Sequence, residues 1–286
     1  MLFCHINLTQ GPVEMVRPAF AFLPLYIYPF NQSWDAVTTA ISANPTLQFQ
    51  IVVSPHLANI FPDANYVLGL TSLNVFPNVQ TLGYIYTSWA TRNISEIEAE
   101  IDAYAAWPTF IGGDIAVDGI FFDETPTAYT NDTSSYLRSV TSYARAALGP
   151  SDVHIAFNPG LPVNKSFYEI ADTINIFENT FAAFNLTTLD ILDWDLLGRS
   201  TYAIHSFNGD EDEHVDLIRN LSDSNVGGFL VTTDEGYTKL SAFWPQFCSE
   251  LADHDRSDDD DDDDDADDGN DDEERSRRMK QTGNIL

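Results

Sequence analysis

Gly119-Ile120-Phe121-Phe122-Asp123-Glu124-Thr125-Pro126 is an apolar run that ends in two adjacent carboxylates, with a proline close behind. Asn175-Ile176-Phe177-Glu178-Asn179-Thr180 repeats the pattern with one carboxylate. A carboxyl group can give or take a proton, and its anion can attack carbon. Two of them facing one sugar-sized hollow are equipped to cleave a glycosidic bond. We assign Asp123 as nucleophile and Glu178 as acid/base, with the reverse pairing open. Glu124 then tunes the charge of Asp123 or holds a sugar amine or hydroxyl. A retaining reaction needs the two carboxyl groups about 5–5.5 Å apart, an inverting one roughly 6.5–9.5 Å. The acid also needs an apolar or anionic setting to stay protonated, and Phe177 and Asp123 are the candidates to supply it.

Such acids must be delivered by strands. Eight short apolar runs stand at 21–29, 47–54, 81–89, 119–124, 154–158, 173–179, 200–207 and 227–234. They are nearly continuous in apolar residues, as parallel strands buried on both faces are. Helical spacing appears at 34–43, 94–107, 134–148, 213–221 and 239–251, with Asn93 as an N-cap for the second. Strands alternating with helices predict a single (β/α)8 barrel over residues 19–252, after an N-terminal extension at 1–18. A doubly wound open sheet would need a Gly-rich phosphate loop. Gly112-Gly113 and Gly227-Gly228 lack its spacing and read as turns.

Barrel enzymes build their sites at the C-terminal ends of the strands. Asp123 and Glu124 would point to opposite faces of a regular strand. Because Thr125-Pro126 breaks the strand, Glu124 is expected in the loop, turned inward. The other rim residues expected to bind substrate are Tyr26, Tyr28, Tyr86, Trp89, Asn158, His205 and Thr232. Aromatic faces pack against sugar rings, although any one aromatic taken singly is more often core. A lone histidine beside apolar residues is likewise more often a satisfied core group. No His-Cys-carboxylate spacing suggests a metal, and no Gly-X-Ser-X-Gly elbow suggests a serine nucleophile, so no cofactor is expected. Asp114 and Asp118 read as loop charges.

The net charge is −31, and residues 253–286 carry 16 acids and 5 bases of it. The remaining body keeps 28 acids against 8 bases, a net −20. Such a surface repels nucleic acid and anionic membrane and favours a neutral or cationic ligand. No stretch approaches the ~20 apolar residues of a membrane span. Segment 253–286 is expected to be a disordered polyaspartate tail, because it has almost no apolar surface to bury. The Asp run lacks the ordered Gly and Glu positions of a calcium loop. The basic cluster at 275–280 is read as a solvated end. Cys4 and Cys248 define no disulfide framework, and a bridge between the chain ends is left open. Seven Asn-X-Ser/Thr sequons, at Asn7, Asn31, Asn93, Asn131, Asn164, Asn185 and Asn220, favour a secreted or cell-wall glycoprotein although no leader is visible. A cytoplasmic location is the alternative. A monomer is expected.

Five segments together resemble the spherulation-specific family 4 (spherulin-4-like) proteins, classed as glycoside hydrolase family 135. They are Leu25-Tyr26-Ile27-Tyr28-Pro29, Pro62-Asp63-Ala64-Asn65-Tyr66, Thr81-Leu82-Gly83-Tyr84-Ile85-Tyr86-Thr87, Val117-Asp118-Gly119-Ile120-Phe121-Phe122-Asp123-Glu124 and Phe157-Asn158-Pro159-Gly160. The resemblance implies a (β/α)8 fold, a mostly fungal and secreted origin, and hydrolysis of α-1,4-linked N-acetylgalactosamine in galactosaminogalactan. It places the essential acids on Asp123, Glu124 and Glu178. One departure borders the cleft: Ser54-Pro55-His56-Leu57 stands where the family has Asn-Pro and a Gly-rich loop. The competing class is a non-catalytic carbohydrate-binding or spore-wall protein on the same barrel. A third reading is a nuclear or cytosolic acidic protein acting through its tail.

Overall fold

The computed structural model describes residues 18–263 except 56, 58, 150 and 151. Eight parallel strands close into a barrel in chain order. They are β1 Phe20–Leu25, β2 Phe49–Val53, β3 Val79–Tyr86, β4 Gly119–Asp123, β5 His154–Asn158, β6 Thr173–Thr180, β7 Ser200–His205 and β8 Gly228–Val231. Around them lie α1 Asp35–Ala43, α2 Ala64–Leu73, α3 Ile94–Ala106, α4 Asn131–Leu148, α5 Trp194–Leu197, α6 Glu211–Asp223 and α7 Trp244–Asp263. This is the expected (β/α)8 barrel. The connection from β5 to β6 carries only a 3-10 turn at Lys165–Glu169, and that from β6 to β7 only 3-10 turns and the four-residue α5. Residues 1–17 of the N-terminal extension, Cys4, and residues 264–286 with the basic cluster lie outside the described residues. The first part of the expected disordered tail, 253–263, instead continues helix α7, and Cys248 is a buried free thiol among the described residues.

Several boundaries differ from the sequence reading. β1 stops at Leu25 rather than 29, β3 at Tyr86 rather than 89, and β8 at Val231 rather than 234. The aromatic residues beyond those ends are β-prone, but they sit in rim loops and do not pair. Helix α2 was not anticipated. Its interior contains Gly69, which lowers helix propensity. The glycine is needed because a Cβ there would stand 2.6 Å from the Trp34 ring. The Asp63 side chain caps α2, accepting from the backbone amides of Asn65 and Tyr66. Gly228 is not a turn: it opens β8 under the Phe20 ring, where a side chain would collide. Asp118 is more than a loop charge, since its Oδ2 accepts from Thr81 N at 2.7 Å and ties the start of β4 to β3.

The barrel interior is filled from the bottom. Gln50, Gln80 and His154 form a hydrogen-bonded layer near the strand starts. Phe22 and Phe121 meet above it with ring centroids 5.8 Å apart, and Tyr84 stacks on Phe121 at 6.4 Å. The site therefore rests on a packed floor, not an open pore.

One buried group of the outer shell gives a stability prediction. His214 on α6 is fully buried, stacked on Phe243 at 4.8 Å with Phe207 edge-on at 5.1 Å. Neither ring nitrogen has a hydrogen-bond partner of good geometry among the described residues, although the Val231 carbonyl faces the ring. Burial lowers its pKa, and that carbonyl opposes the shift. The folded state then prefers neutral His214, while the unfolded chain protonates near pH ~6.5. Stability from this group is present above that pH and is lost as pH falls below it, by up to about 1.4 kcal/mol per unit. Urea unfolding at pH 7 and pH 5 should show a smaller loss for His214→Phe than for wild type. Equal losses would refute this account.

Candidate active site

The β3–β4–β5 register sets Tyr86, Asp123 and Asn158 side by side at the top of the barrel. β6 needs a device to join them. Its pairing with β7 slips between Asn175 and Phe177, a bulge that restarts the alternation of faces. As a result Asn175 and Glu178, three positions apart, both face inward. Phe177 turns outward and stacks on Tyr202 at 5.7 Å. The sequence expectation that Phe177 shelters Glu178 is thereby corrected.

Asn158 joins the two acids. Its Nδ2 donates to Asp123 Oδ1 at 2.7 Å and to Glu178 Oε2 at 2.6 Å. Two oxygens held by one nitrogen can lie no farther apart than the two bonds laid end to end, about 5.3 Å, shorter than the separation an inverting pair needs. Asn158 Oδ1 in turn accepts from Gly160 N at 3.0 Å and meets the Asn175 amide at 2.9 Å. The Asn175 amide also faces the backbone oxygens of Thr201 and Phe177, so its nitrogen end can serve only one of the two sides.

The two acids have different surroundings. Asp123 accepts from Asn158, from Glu124 N at 2.8 Å and, through Oδ2, from the Tyr84 hydroxyl at 2.8 Å. Three donors around one carboxylate suit an anion. Glu178 Oε2 takes Asn158 and, at 3.4 Å, Asn175. Burial pushes the Glu178 pKa up, the Asn158 bond pulls it back, and the Asp123 charge adds to the rise. Two neighbouring carboxyls in unlike environments are the pattern that separates an acid from an anion. Three tyrosines ring the pair. Tyr26 packs edge-on against Tyr84 at 5.6 Å and against Tyr237 at 6.0 Å. Burial first, and Asp123 second, raise the Tyr26 and Tyr84 hydroxyl pKa values.

Glu124 has left the strand, as expected. Its φ of 51° is in the left-handed region, which costs a non-glycine residue of order 1 kcal/mol. The loop after β3 grips it: Thr87 Oγ1 and Trp89 N donate to its carbonyl at 2.8 and 2.6 Å, and Ser88 Oγ donates to its Oε2 at 3.4 Å. Ser88, Trp89 and Ala90 are left-handed as well, as are Ser206 after β7 and Tyr237 after β8. Strain of this kind, collected on one rim, marks a site held in a fixed shape.

The remaining expected residues divide. Tyr26 and Asn158 contact or face the acids, and His205, buried at the tip of β7, acts on Glu178 electrostatically. Trp89 and Tyr86 are exposed at the rim, with the Arg92 guanidinium 4.2 Å over the Tyr86 ring. Tyr28 stands apart, its hydroxyl bonded to Asp63 and Asn65 at the start of α2. Thr232 is buried and its Oγ1 accepts from Asp234 N, a loop-forming contact. Tyr84, Asn175 and Tyr237 were missed. Alternation from Tyr86 could have found Tyr84; the other two depend on a bulge and a loop without a sequence signature. Among the described residues no cluster of His, Cys, Asp and Glu could hold a metal, and no helix is long and apolar enough to cross a membrane.

Fold and site define a (β/α)8 barrel whose upper rim carries a carboxylate pair bridged by an asparagine. Residues 21–251 match the model of spherulation-specific family 4, and the chain belongs to that family. Spherulin-4 of Physarum polycephalum is 28% identical over 182 residues, 63% of this chain and 49% of that protein. The chain thus spans about half the length of the curated relative it matches. The crystal structure of Aspergillus clavatus Sph3 in complex with GalNAc is similar at a TM-score of 0.76 and 32% identity, covering 82% of this chain and 98% of that one. A GH18 chitinase from Pseudoalteromonas aurantia covers 82% of this chain and 100% of its own, at TM-score 0.53 and 13% identity. The glycoside hydrolase domain of PgaB (BpsB) from Bordetella bronchiseptica covers 83% and 99%, at 0.54 and 10%. The last two share the fold alone.

Proposed function

We propose that this chain is a retaining glycoside hydrolase acting on α-1,4-linked N-acetylgalactosamine or galactosamine polysaccharide, of the galactosaminogalactan type. The observation that carries the reading is the single Asn158 nitrogen bonded to both Asp123 and Glu178. Glu178, protonated through burial, gives its proton to the glycosidic oxygen while Asp123 attacks the anomeric carbon and the C–O bond breaks. The sugar is then held on Asp123 as an ester. Glu178, now a carboxylate, takes a proton from water; that water attacks the anomeric carbon and frees Asp123. Glu124 and the exposed Trp89 and Tyr86 rings hold neighbouring sugars. The GalNAc bound to Sph3 supports the substrate class.

The acidic body suits a partly deacetylated, cationic polymer. The test is release of oligosaccharides from galactosaminogalactan, acetylated and deacetylated, at low and high salt. Release is expected from both, and the rate on deacetylated polymer should fall a few-fold between about 20 and 200 mM salt as screening grows. Binding without release would instead make this a carbohydrate-binding barrel. A secreted or cell-wall location fits the reading, because all six sequon asparagines among the described residues are exposed. Three of them, Asn93, Asn164 and Asn185, cap helices through Oδ1, leaving Nδ2 for a glycan. Full-length protein retained inside the cell, with a mass that N-glycosidase treatment does not change, would speak against that location.

A further inference from the structure

Tyr237 carries two costs that its fold does not explain. It follows β8 in a loop fixed by Asp234, whose Oδ2 accepts from the amides of Thr238 and Lys239. Its backbone is left-handed, at φ 54°. Its side chain is 6% exposed, yet the hydroxyl has no hydrogen-bond partner of good geometry among the described residues. A buried hydroxyl left unpaired costs about 1–3 kcal/mol, and natural folds keep few of them. The ring is anchored at its base by the Tyr26 amide, which donates to the Tyr237 carbonyl at 3.2 Å, and by the edge-on contact with the Tyr26 ring. The hydroxyl lies within hydrogen-bond reach of the Glu178 carboxyl, without forming a bond of good geometry to it in this structure.

Glu178 has the complementary vacancy. Oε2 is held by Asn158, while Oε1 takes no hydrogen bond of good geometry among the described residues. We propose that Tyr237 is a positioning residue for Glu178: its O–H donates to Oε1 when Glu178 becomes a carboxylate on giving up its proton. Asn158 and Tyr237 then hold the carboxylate from both oxygens, aimed at the glycosidic oxygen. Tyr237 keeps its own proton throughout, and no covalent bond to it forms or breaks. The inference rests on the reading of Glu178 as acid/base. It explains why the hydroxyl persists without a good bond in the resting state: the reacting state recovers that cost, and the left-handed backbone keeps the ring in place for it.

Tyr237→Phe tests it, because the ring contacts stay and only the oxygen goes. Carbon-13 NMR titration of the Glu178 carboxyl needs no substrate. A hydrogen bond to the charged form lowers an acid's pKa, so its loss should raise the Glu178 titration by about one pH unit. On polymer, kcat at the optimum should fall roughly tenfold with KM little changed, and the alkaline limb of the kcat profile should move up by a similar amount. Melting temperature should be unchanged or higher, since an unpaired buried hydroxyl has been removed. Tyr202→Phe is the control: its hydroxyl donates to the Thr188 carbonyl outside the barrel, and the Glu178 titration should not move. An unmoved Glu178 titration in Tyr237→Phe, or a clear loss of melting temperature with unchanged kcat, overturns the proposal and makes Tyr237 structural. A shifted titration in a protein inert on every polymer would uphold the Tyr237–Glu178 contact and defeat the hydrolase reading instead.

Discussion

Glu178→Gln is expected to lower kcat on galactosaminogalactan by about 10²–10⁴-fold while polymer binding persists. Glutamine keeps the shape and can still accept from Asn158, so the cleft should stay intact. What it lacks is a proton for the departing glycosidic oxygen. The wild-type kcat profile should be bell-shaped, with each limb belonging to the coupled pair rather than to one residue. Activity requires Glu178 protonated and Asp123 ionised. Because burial raises the Glu178 pKa, the alkaline limb should lie above the ordinary glutamate value of ~4.3. Loss of rate with rising pH is therefore loss of the acid, and the Glu178→Gln profile should lack that limb.

Roles within the pair can be separated with an activated α-aryl glycoside, which needs little acid assistance, and azide as a small nucleophile. If Asp123 attacks, Glu178→Ala still forms the ester. Azide then opens it from the other face, giving the α-azide. In Asp123→Ala no ester forms, and azide filling the space attacks directly, giving the β-azide. Exchanged products would install the reverse assignment. A Glu178→Gln enzyme with wild-type kcat on polymer would defeat both.

Much of this site could be read from the chain, for a physical reason. An apolar run that ends in an acid is an unusual sequence of environments, and a barrel rim is where that change is stable. Asp123, Glu124 and Glu178 announced themselves in that way. The direction of Glu178 did not. Counted by alternation from Asn175, it should point outward; the bulge at Asn175/Phe177 reverses it, and nothing in Ile176 signals a bulge. The eight strands were legible because burial on both faces makes them continuously apolar. Helix α2 was hidden because packing against Trp34 demands a glycine where propensity would place alanine. Tyr237 was hidden for the opposite reason. Its loop has no periodicity, and its position is set by contacts with Tyr26 from the far end of the chain.

Asn158 is the one side chain that both acids share, so its replacements should act on both at once. In Asn158→Ala both bonds vanish, and two carboxyl oxygens no more than about 5.3 Å apart face each other with nothing between them. Loss of one preorganised donor typically costs about 10²–10³ in kcat, and that range is expected here. Asn158→Asp is the sharper case. It keeps the shape but replaces the donor with a third carboxylate. At neutral pH it should be slower than Asn158→Ala, because three neighbouring anions cannot all remain ionised and the proton they share is drawn from the pair. At lower pH the new aspartic acid becomes protonated and can donate to one neighbour, so the two variants should converge or cross. Their kcat profiles from pH 4 to 8 decide it. If both keep wild-type rate within about threefold, the bridge is structural only. If they fall in parallel at every pH, Asn158 acts through shape rather than through the proton it lends, and the electrostatic account of the pair fails.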